Sequence, residues 1–541
     1  MPILDPVSFS AVSAETNRDS LVFSALSSEL QRSMDSLRIE GQPAPFLIDY
    51  RFMRNRNYNM EVRNGVTVRD HVAPWFQRFN AEVLVGDYHR NNSTNSSYSS
   101  FTTSIPEALD YNNLRRTAWM VTDRAYKRAI ADMEGKTQQR NKVTLPADEA
   151  ALPDLLAAKP TTFIEHRSPE AEDLHLDELR AYVSRISLIA QEFPELTYSL
   201  ARVQGFQGDV WRLTSEGVRV AQPVGDNFEL FFTFLIYRNA GGGNVNSTHS
   251  KVYTTTAEML ADSTQFISEL RSYIRQRLDL LNRTAEEDYY VGPVLVEGDA
   301  SKMIYTSANG YISSNGFIAT HDPMRSNRTV LSKMNHKIYD DKISIGQDPT
   351  LSTWNDKRLI GYYTADANGQ APQAVTLVDK GMFRGQLCGR VPSLCTSQPT
   401  GNLRFVNPNV GGGLRLNDIP GVIRVKSSKT APLKKMRRKL LQAAKHEGYD
   451  HAYIVRPMGY YRVDIKDGTE TLINMNNLHP SSYQLRHITA LSSEQEAVTE
   501  YVNGTPFSIV GPKAMLLTDC EVPAPTTDQK AKLTLTFPKN R

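Results

Sequence analysis

The chain is poor in cysteine, in charge of one sign and in long apolar runs. Three cysteines, Cys388, Cys395 and Cys520, serve 541 residues. They are too few and too scattered to staple a fold through disulfides. The spacing of Cys388 and Cys395 is not that of a zinc finger, and all three read as buried thiols. Lysine and arginine number 62 against 59 aspartates and glutamates, a formal net charge of +3. A dedicated nucleic-acid binder carries a large basic excess, so no nucleic-acid partner is expected. No stretch approaches the ~18 consecutive apolar residues of a membrane helix, so no membrane span is expected. The longest apolar run, Phe228 to Tyr237, is strand-length and is interrupted by Glu229. The opening MPILDPVSFSAVSAETNRDS has neither a basic region nor a sustained apolar one. It does not read as a secretory signal, and the expected compartment is the cytoplasm; a chain already trimmed of its signal would read the same.

What is present is a globular composition, 22% charged and 40% hydrophobic. The length suits two large domains of roughly 250 residues. Helical spacing of apolar residues appears at 16–38 (Val22, Leu26, Leu30, Met34, Leu37), at 106–135 and at about 172–193. It appears again at 256–282 (Met259, Phe266, Leu270, Ile274, Leu278). Between these lie short strands, FLIDYRF (46–52), MEVRNGVTV (60–68) and FNAEVLVGD (79–87), and a second strand region from 196 to 237. NNSTNSSYSSFTTS (91–104) reads as a polar loop and 145–160 as a surface connection. After 286 the pattern is mostly strand and turn, with one clear helix at 431–447. The class is therefore α+β: an α/β N-terminal domain, 1–286, followed by a β-rich C-terminal domain, 287–541.

Six segments, in order, carry a family likeness. In the first half they are AWMVTDRAYKRAI (118–130), LTSEG (213–217) and YTTTAEMLADS (253–263). In the second they are VGPVLVEGDAS (291–301), LIGYYTADANGQAPQAVTLVDKGMFRGQLCGR (359–390) and SSEQEAVTEYVNGTPFSIVGPKAMLLTDCEV (492–522). Together they resemble the TldD/PmbA family, also called modulators of DNA gyrase, and the resemblance covers most of the chain. It implies a metallopeptidase scaffold and a homodimer, or a heterodimer with a related subunit, that holds peptide near the subunit junction. Active members of that family carry H-E-x-x-x-H on a helix, with a distant cysteine completing a zinc site. Such a zinc lowers the pKa of its bound water, and the glutamate takes the water's proton.

Laid over 296–301, the family motif meets V-E-G-D-A-S. Glu297 falls at the general base, but Val296 and Ser301 stand where the two histidines belong. An aliphatic side chain cannot ligate zinc, and an alcohol is a poor substitute for imidazole. HEGYDH at 446–451 spells the motif in full with His446, Glu447 and His451, and Cys520 is the only downstream thiol. The apolar pattern of 431–447, however, ends a helix at Gly448 and lets His451 open a strand. That would place the two histidines on different elements. GGGNVN (241–246) and GNLRFVNPNVGGG (401–413) lack the Walker lysine and the dinucleotide spacing, and no G-x-S-x-G is present. The basic run Lys434, Lys435, Arg437, Arg438, Lys439 reads as a solvated helix face.

The leading expectation is a peptidase-like protein with no cofactor, which binds extended peptide or serves as the non-catalytic partner of a metal-bearing relative. The alternatives are a zinc peptidase built on 446–451 and a tailoring enzyme repurposed on the same scaffold.

Overall fold

The computed structural model describes residues 6–93, 100–105, 109–237, 244–281, 289–306, 332–406, 414–457, 459–473, 480–502 and 504–522. Two strands of 19 residues each organise the first half: β1 (Pro45–Arg63) and β6 (Leu196–Thr214), antiparallel from Asp49↔Thr214 to Val62↔Ala201. Around them pair β2 (Val66–Val72), β3 (Phe76–Val85), β4 (Ser100–Ile105), β5 (Thr161–Ile164), β7 (Val218–Pro223), β8 (Asn227–Tyr237) and β9 (Asn244–Tyr253). The result is a nine-stranded sheet of order β4-β3-β1-β6-β7-β5, with β2 on β1 and β8 and β9 beyond β6.

Alternation along β1 divides its side chains between two faces. Tyr50 and Phe52 pack under α1 (Pro6–Ser36) and α2 (Tyr111–Arg140). Farther along the same face, Tyr58, Met60 and Val62 pack under α3 (Leu176–Leu188) and α4 (Ser263–Leu281). On the opposite face Met53, Phe206 and Val210 meet Ala367, Leu403, Phe405 and Leu414 of the second half.

The second half is a sandwich. A seven-stranded sheet has at its centre β10 (Tyr290–Glu297), paired in parallel with His451–Arg456 and antiparallel with Ala514–Val522. A six-stranded sheet stacks on one of its faces, burying Val294 and Val296 with Ile345, Ile423, Val425 and Ile509. On the other face α5 (Leu433–His446) buries Met436, Leu440 and Ala444 against Leu295, Ile454 and Leu516. Burial on both faces explains the unbroken apolar run of β10.

The α+β expectation holds, and several local readings are corrected. MEVRNGVTV is not one strand but the end of β1, a turn and β2. Asn64 and Gly65 have φ of 48° and 82°, as a two-residue hairpin turn requires. The glycines of VQGFQGD do not break β6. A Cβ on Gly205 would lie 2.5 Å from the Phe228 ring, so the strand runs on with a glycine where an aromatic crosses it. Ser100–Ile105, placed in a loop, forms β4 beside β3. The 145–160 connection is partly buried. Asp154 accepts from the Asn91 backbone N–H and ion-pairs with Lys136 and Arg140, which ties this stretch to α2. Residues 241–243 and 407–413 of the glycine-rich stretches lie outside the described residues.

The two halves are joined by a charged knot beneath the first sheet. Arg212, 1% exposed, donates to the Asp49 carboxylate from Nε and Nη2, and from Nη1 to the Ala367 carbonyl and Asn368 Oδ1 at 2.7 Å each. Arg51 also donates to Asp49, and to the Leu414 carbonyl. Burial would raise the Asp49 pKa, but the two guanidiniums outweigh it and hold the group at about 2. The family-like D-A-N-G-Q stretch is the turn that reaches this knot. Asp366 accepts backbone N–H bonds from Asn368, Gln370 and Leu403. Gly369, with φ of 70°, lies so close to β5 that a Cβ would stand 2.9 Å from Thr161 Cγ2.

Candidate functional site

Strand β10 ends at Glu297 and the chain turns through Gly298 and Asp299, with φ of 102° and 57°. It then enters a seven-residue helix at Ala300–Thr306. The stretch 296–301 is therefore split between strand, turn and helix, and does not form one continuous helix. Val296 is wholly buried in the sandwich core. Ser301 is fully buried, and its Oγ has no hydrogen-bond partner among the described residues. From Tyr290 to Thr306 the chain offers no imidazole and no thiol, so this segment does not fit the zinc site that the family likeness implies.

Glu297 is held on both oxygens. Arg437 on α5 donates to Oε1 from Nε at 3.1 Å and Nη2 at 2.5 Å, and Arg456 donates to Oε2 at 2.6 Å. Arg456 continues to Glu470 through two more bonds, of 2.7 and 3.0 Å. The clamp ties the helix to the end of β10 and the following strands. Three of the carboxylate's roughly four acceptor sites are thus taken by guanidinium donors, which leaves little of it to act on a water as a general base. Arg437 thus leaves the solvated face on which the basic run had placed it.

The 446–451 stretch has the predicted local structure. His446 is the last residue of α5, Glu447 is its C-cap, Gly448 has φ of 86°, and His451 is the first residue of the next strand. His451 packs against the rings of Tyr290, Tyr449 and Tyr453, with Nδ1 2.5 Å from Asp450 Oδ1. Its Nε2 is buried and has no partner among the described residues. His446 is exposed. Cys520 is fully buried beneath the strands, its Sγ directed at the Thr518 carbonyl, and burial pushes the thiol up to about 12. Among the described residues no three His, Cys, Asp or Glu side chains converge as a metal would require. His446, His451 and Cys520 are not brought together.

One feature of this corner was not read from the sequence. Asp299, in the turn, and Glu496, on the edge strand Gln495–Val502, form a carboxyl pair, and Glu496 accepts the Asp299 backbone N–H. Burial first, and Asp299 second, push Glu496 up to about 7; its Oε1 is buried with no partner among the described residues. Asp299 is raised by burial too, with Lys302 opposing. Nothing in the spacing could reveal the pair, because its members stand 197 positions apart in the chain and only strand pairing brings them together.

The pair has a testable consequence. A carboxyl whose folded pKa is raised adds stability at low pH, and that stability is lost as pH climbs from the unfolded value near ~4.3 to about 7. Glu496→Gln, which never ionises, should therefore raise the melting temperature at pH 8 and confer no gain at pH 4. After allowance for solvent screening the difference is about 1–2 kcal/mol. Parallel thermal melts at the two pH values check it.

A small crevice on the helix-covered side of the first sheet, lined by Arg18, Glu165, His166, Asp209 and Trp211, includes none of the candidate residues. No described helix is long and apolar enough to cross a membrane.

Comparison with known proteins places this geometry. Residues 293–417 match the model of the PmbA/TldA metallopeptidase C-terminal domain. TldE from Thermococcus kodakarensis superposes with a TM-score of 0.52 at 12% identity, over 88% of this chain and 96% of that one. A Thermotoga maritima protein assigned as a modulator of a DNA gyrase gives 0.51 at 12% identity, over 88% and 96%. A Bacteroides thetaiotaomicron protein with the same assignment gives 0.50 at 11%, over 92% and 98%. At these identities the superpositions speak for the fold. No curated protein matches the sequence.

Proposed function

We propose that this chain, whose residues 293–417 match the PmbA/TldA metallopeptidase C-terminal domain, is a peptidase-related protein of the TldD/PmbA type working without a zinc ion of its own. It holds an extended peptide in a β-rich cleft, as a homodimer or as the non-catalytic partner of a metal-bearing relative. The observation that carries this reading is the double guanidinium clamp on Glu297. It lies within the family-matched region, on a segment that supplies neither imidazole nor thiolate. Zinc in such peptidases is held chiefly by imidazole and thiolate, and the hydrolytic water needs a base whose acceptor sites are largely free. Strand addition supplies the binding chemistry, because an extended peptide satisfies exposed backbone N–H and C=O groups with little demand on its sequence.

The test combines metal analysis with assembly. Purified protein should carry substoichiometric zinc and leave a mixed peptide library intact. Co-expression with a related subunit bearing H-E-x-x-x-H should give a stable complex that cleaves peptides. One tightly bound zinc per chain, lost together with hydrolysis in a His446→Ala/His451→Ala variant, would overturn the reading.

A further inference from the structure

Helix α5 contains Lys434, Lys435, Arg437, Arg438, Lys439 and Lys445, and no acid in its 14 residues. Among the described residues only Arg437 is paired inside the fold, on Glu297. Lys434, Lys435, Arg438 and Lys445 are exposed and Lys439 is half-exposed. None of these five ion-pairs with a carboxylate among the described residues. At 100° per residue, Lys434, Arg438 and Lys445 fall on one narrow stripe, with Lys435 and Lys439 beside it.

Folding does not account for this arrangement. Lys434 and Lys435 stand in the first turn, where the positive end of the helix disfavours cations. Lys434 and Arg438 are like charges four residues apart, as are Lys435 and Lys439, and such pairs repel. The N-cap is Pro432, which makes no side-chain capping bond. The helix start is instead relieved by Glu494, whose two carboxylate oxygens each lie 3.1 Å from the Leu433 backbone nitrogen. Acids in the first turn would serve the helix better, so the cations are kept at a cost to the isolated protein.

We infer that this face of α5 is a docking surface for a short acidic stretch of polypeptide. The stripe from Lys434 to Lys445 is about 16 Å long, the reach of about five extended residues. Carboxylates bound it at both ends: Glu494 at the start, and the exposed Glu447 and Asp450 beyond the finish. A discrete acidic segment fits between these limits, whereas a continuous phosphate backbone would run past them and be repelled. The helix carries no Phe, Tyr or Trp on which a base could stack. The inference stands whether or not the β-rich cleft holds peptide.

The test is fluorescence anisotropy of the full chain with a labelled Glu-rich octapeptide, a neutral octapeptide and a duplex oligonucleotide. The acidic peptide should bind, and its affinity should fall at least about tenfold between 50 and 300 mM salt as screening shortens the reach of the charges. Lys435→Gln/Arg438→Gln/Lys439→Gln should weaken it by a similar factor and leave the neutral peptide unchanged. Lys434→Glu/Lys435→Glu should weaken it further while raising the melting temperature, since acids suit that turn; this opposite movement separates lost docking from lost folding. Tighter binding of the duplex than of the acidic peptide would overturn the inference. So would acidic-peptide binding insensitive to these substitutions, or no binding at low salt.

Discussion

Arg212→Met should lower the free energy of unfolding by about 3–5 kcal/mol, because it strands the Asp49 carboxylate in the interior. Asp49 is 3% exposed and its main partner is Arg212; Arg51 remains, but it also serves Glu82 and the Leu414 carbonyl. The substitution also removes two further anchors, the bonds to Ala367 and Asn368 that hold the 366–370 turn against the first sheet. Arg212→Lys should recover little, since a single ammonium cannot span Asp49 and the Ala367 carbonyl as the planar fork does. Urea unfolding followed by far-UV circular dichroism measures the loss. An acid titration adds a second reading. Wild-type Asp49, held at about 2, adds stability above its unfolded pKa near ~3.9, and that stability is lost only as pH falls towards 2. In the variant the buried carboxylate loses its main counter-charge, so destabilisation should already be present at neutral pH and shrink on acidification. A variant as stable as the parent would mean that the knot does not hold the halves together.

How far the sequence reveals this architecture depends on the range over which each signal acts. The amphipathic helices are legible because their signal is local. The spacing at 106–135 corresponds to Tyr111–Arg140 and that at 431–447 to Leu433–His446. Gly448, with its positive φ, ends the second as a C-cap glycine should. The long strands are harder to read, because their continuity is decided elsewhere in the chain. Gly205 looks like a break until Phe228 is laid across it, and the polar Asn55, Asn57 and Asn59 of β1 look like a loop until β6 pairs with them. The candidate site divides in the same way. The lack of imidazole and thiol at 290–306 is read directly from the letters. The partners of Glu297 are not, because Arg437 and Arg456 lie 140 and 159 residues away and reach it only through helix-on-sheet packing.

That packing gives Glu297 a role that can be separated from catalysis by experiment. Glu297→Gln preserves shape but removes the charge that two guanidiniums share, and should destabilise the fold by about 1.5–3 kcal/mol, the range for hydrogen bonds to charged groups. Glu297 is 6% exposed, whereas Arg437 is near enough to solvent to turn outward, so most of the loss should arise at Arg456. Arg456 keeps Glu470 in the variant, which limits the damage. A double-mutant cycle between Glu297→Gln and Arg456→Met should return a coupling of about 1–3 kcal/mol, as expected for residues in one ion-pair network. A general base behaves differently: its amide variant abolishes hydrolysis, while stability stays level or rises because a poised carboxylate is usually paired poorly. Measuring stability and peptide cleavage on the same Glu297→Gln preparation therefore decides between the two roles. A stable but inactive variant of an active parent would assign Glu297 to chemistry, and a destabilised one from an inactive parent would assign it to the join between α5 and β10.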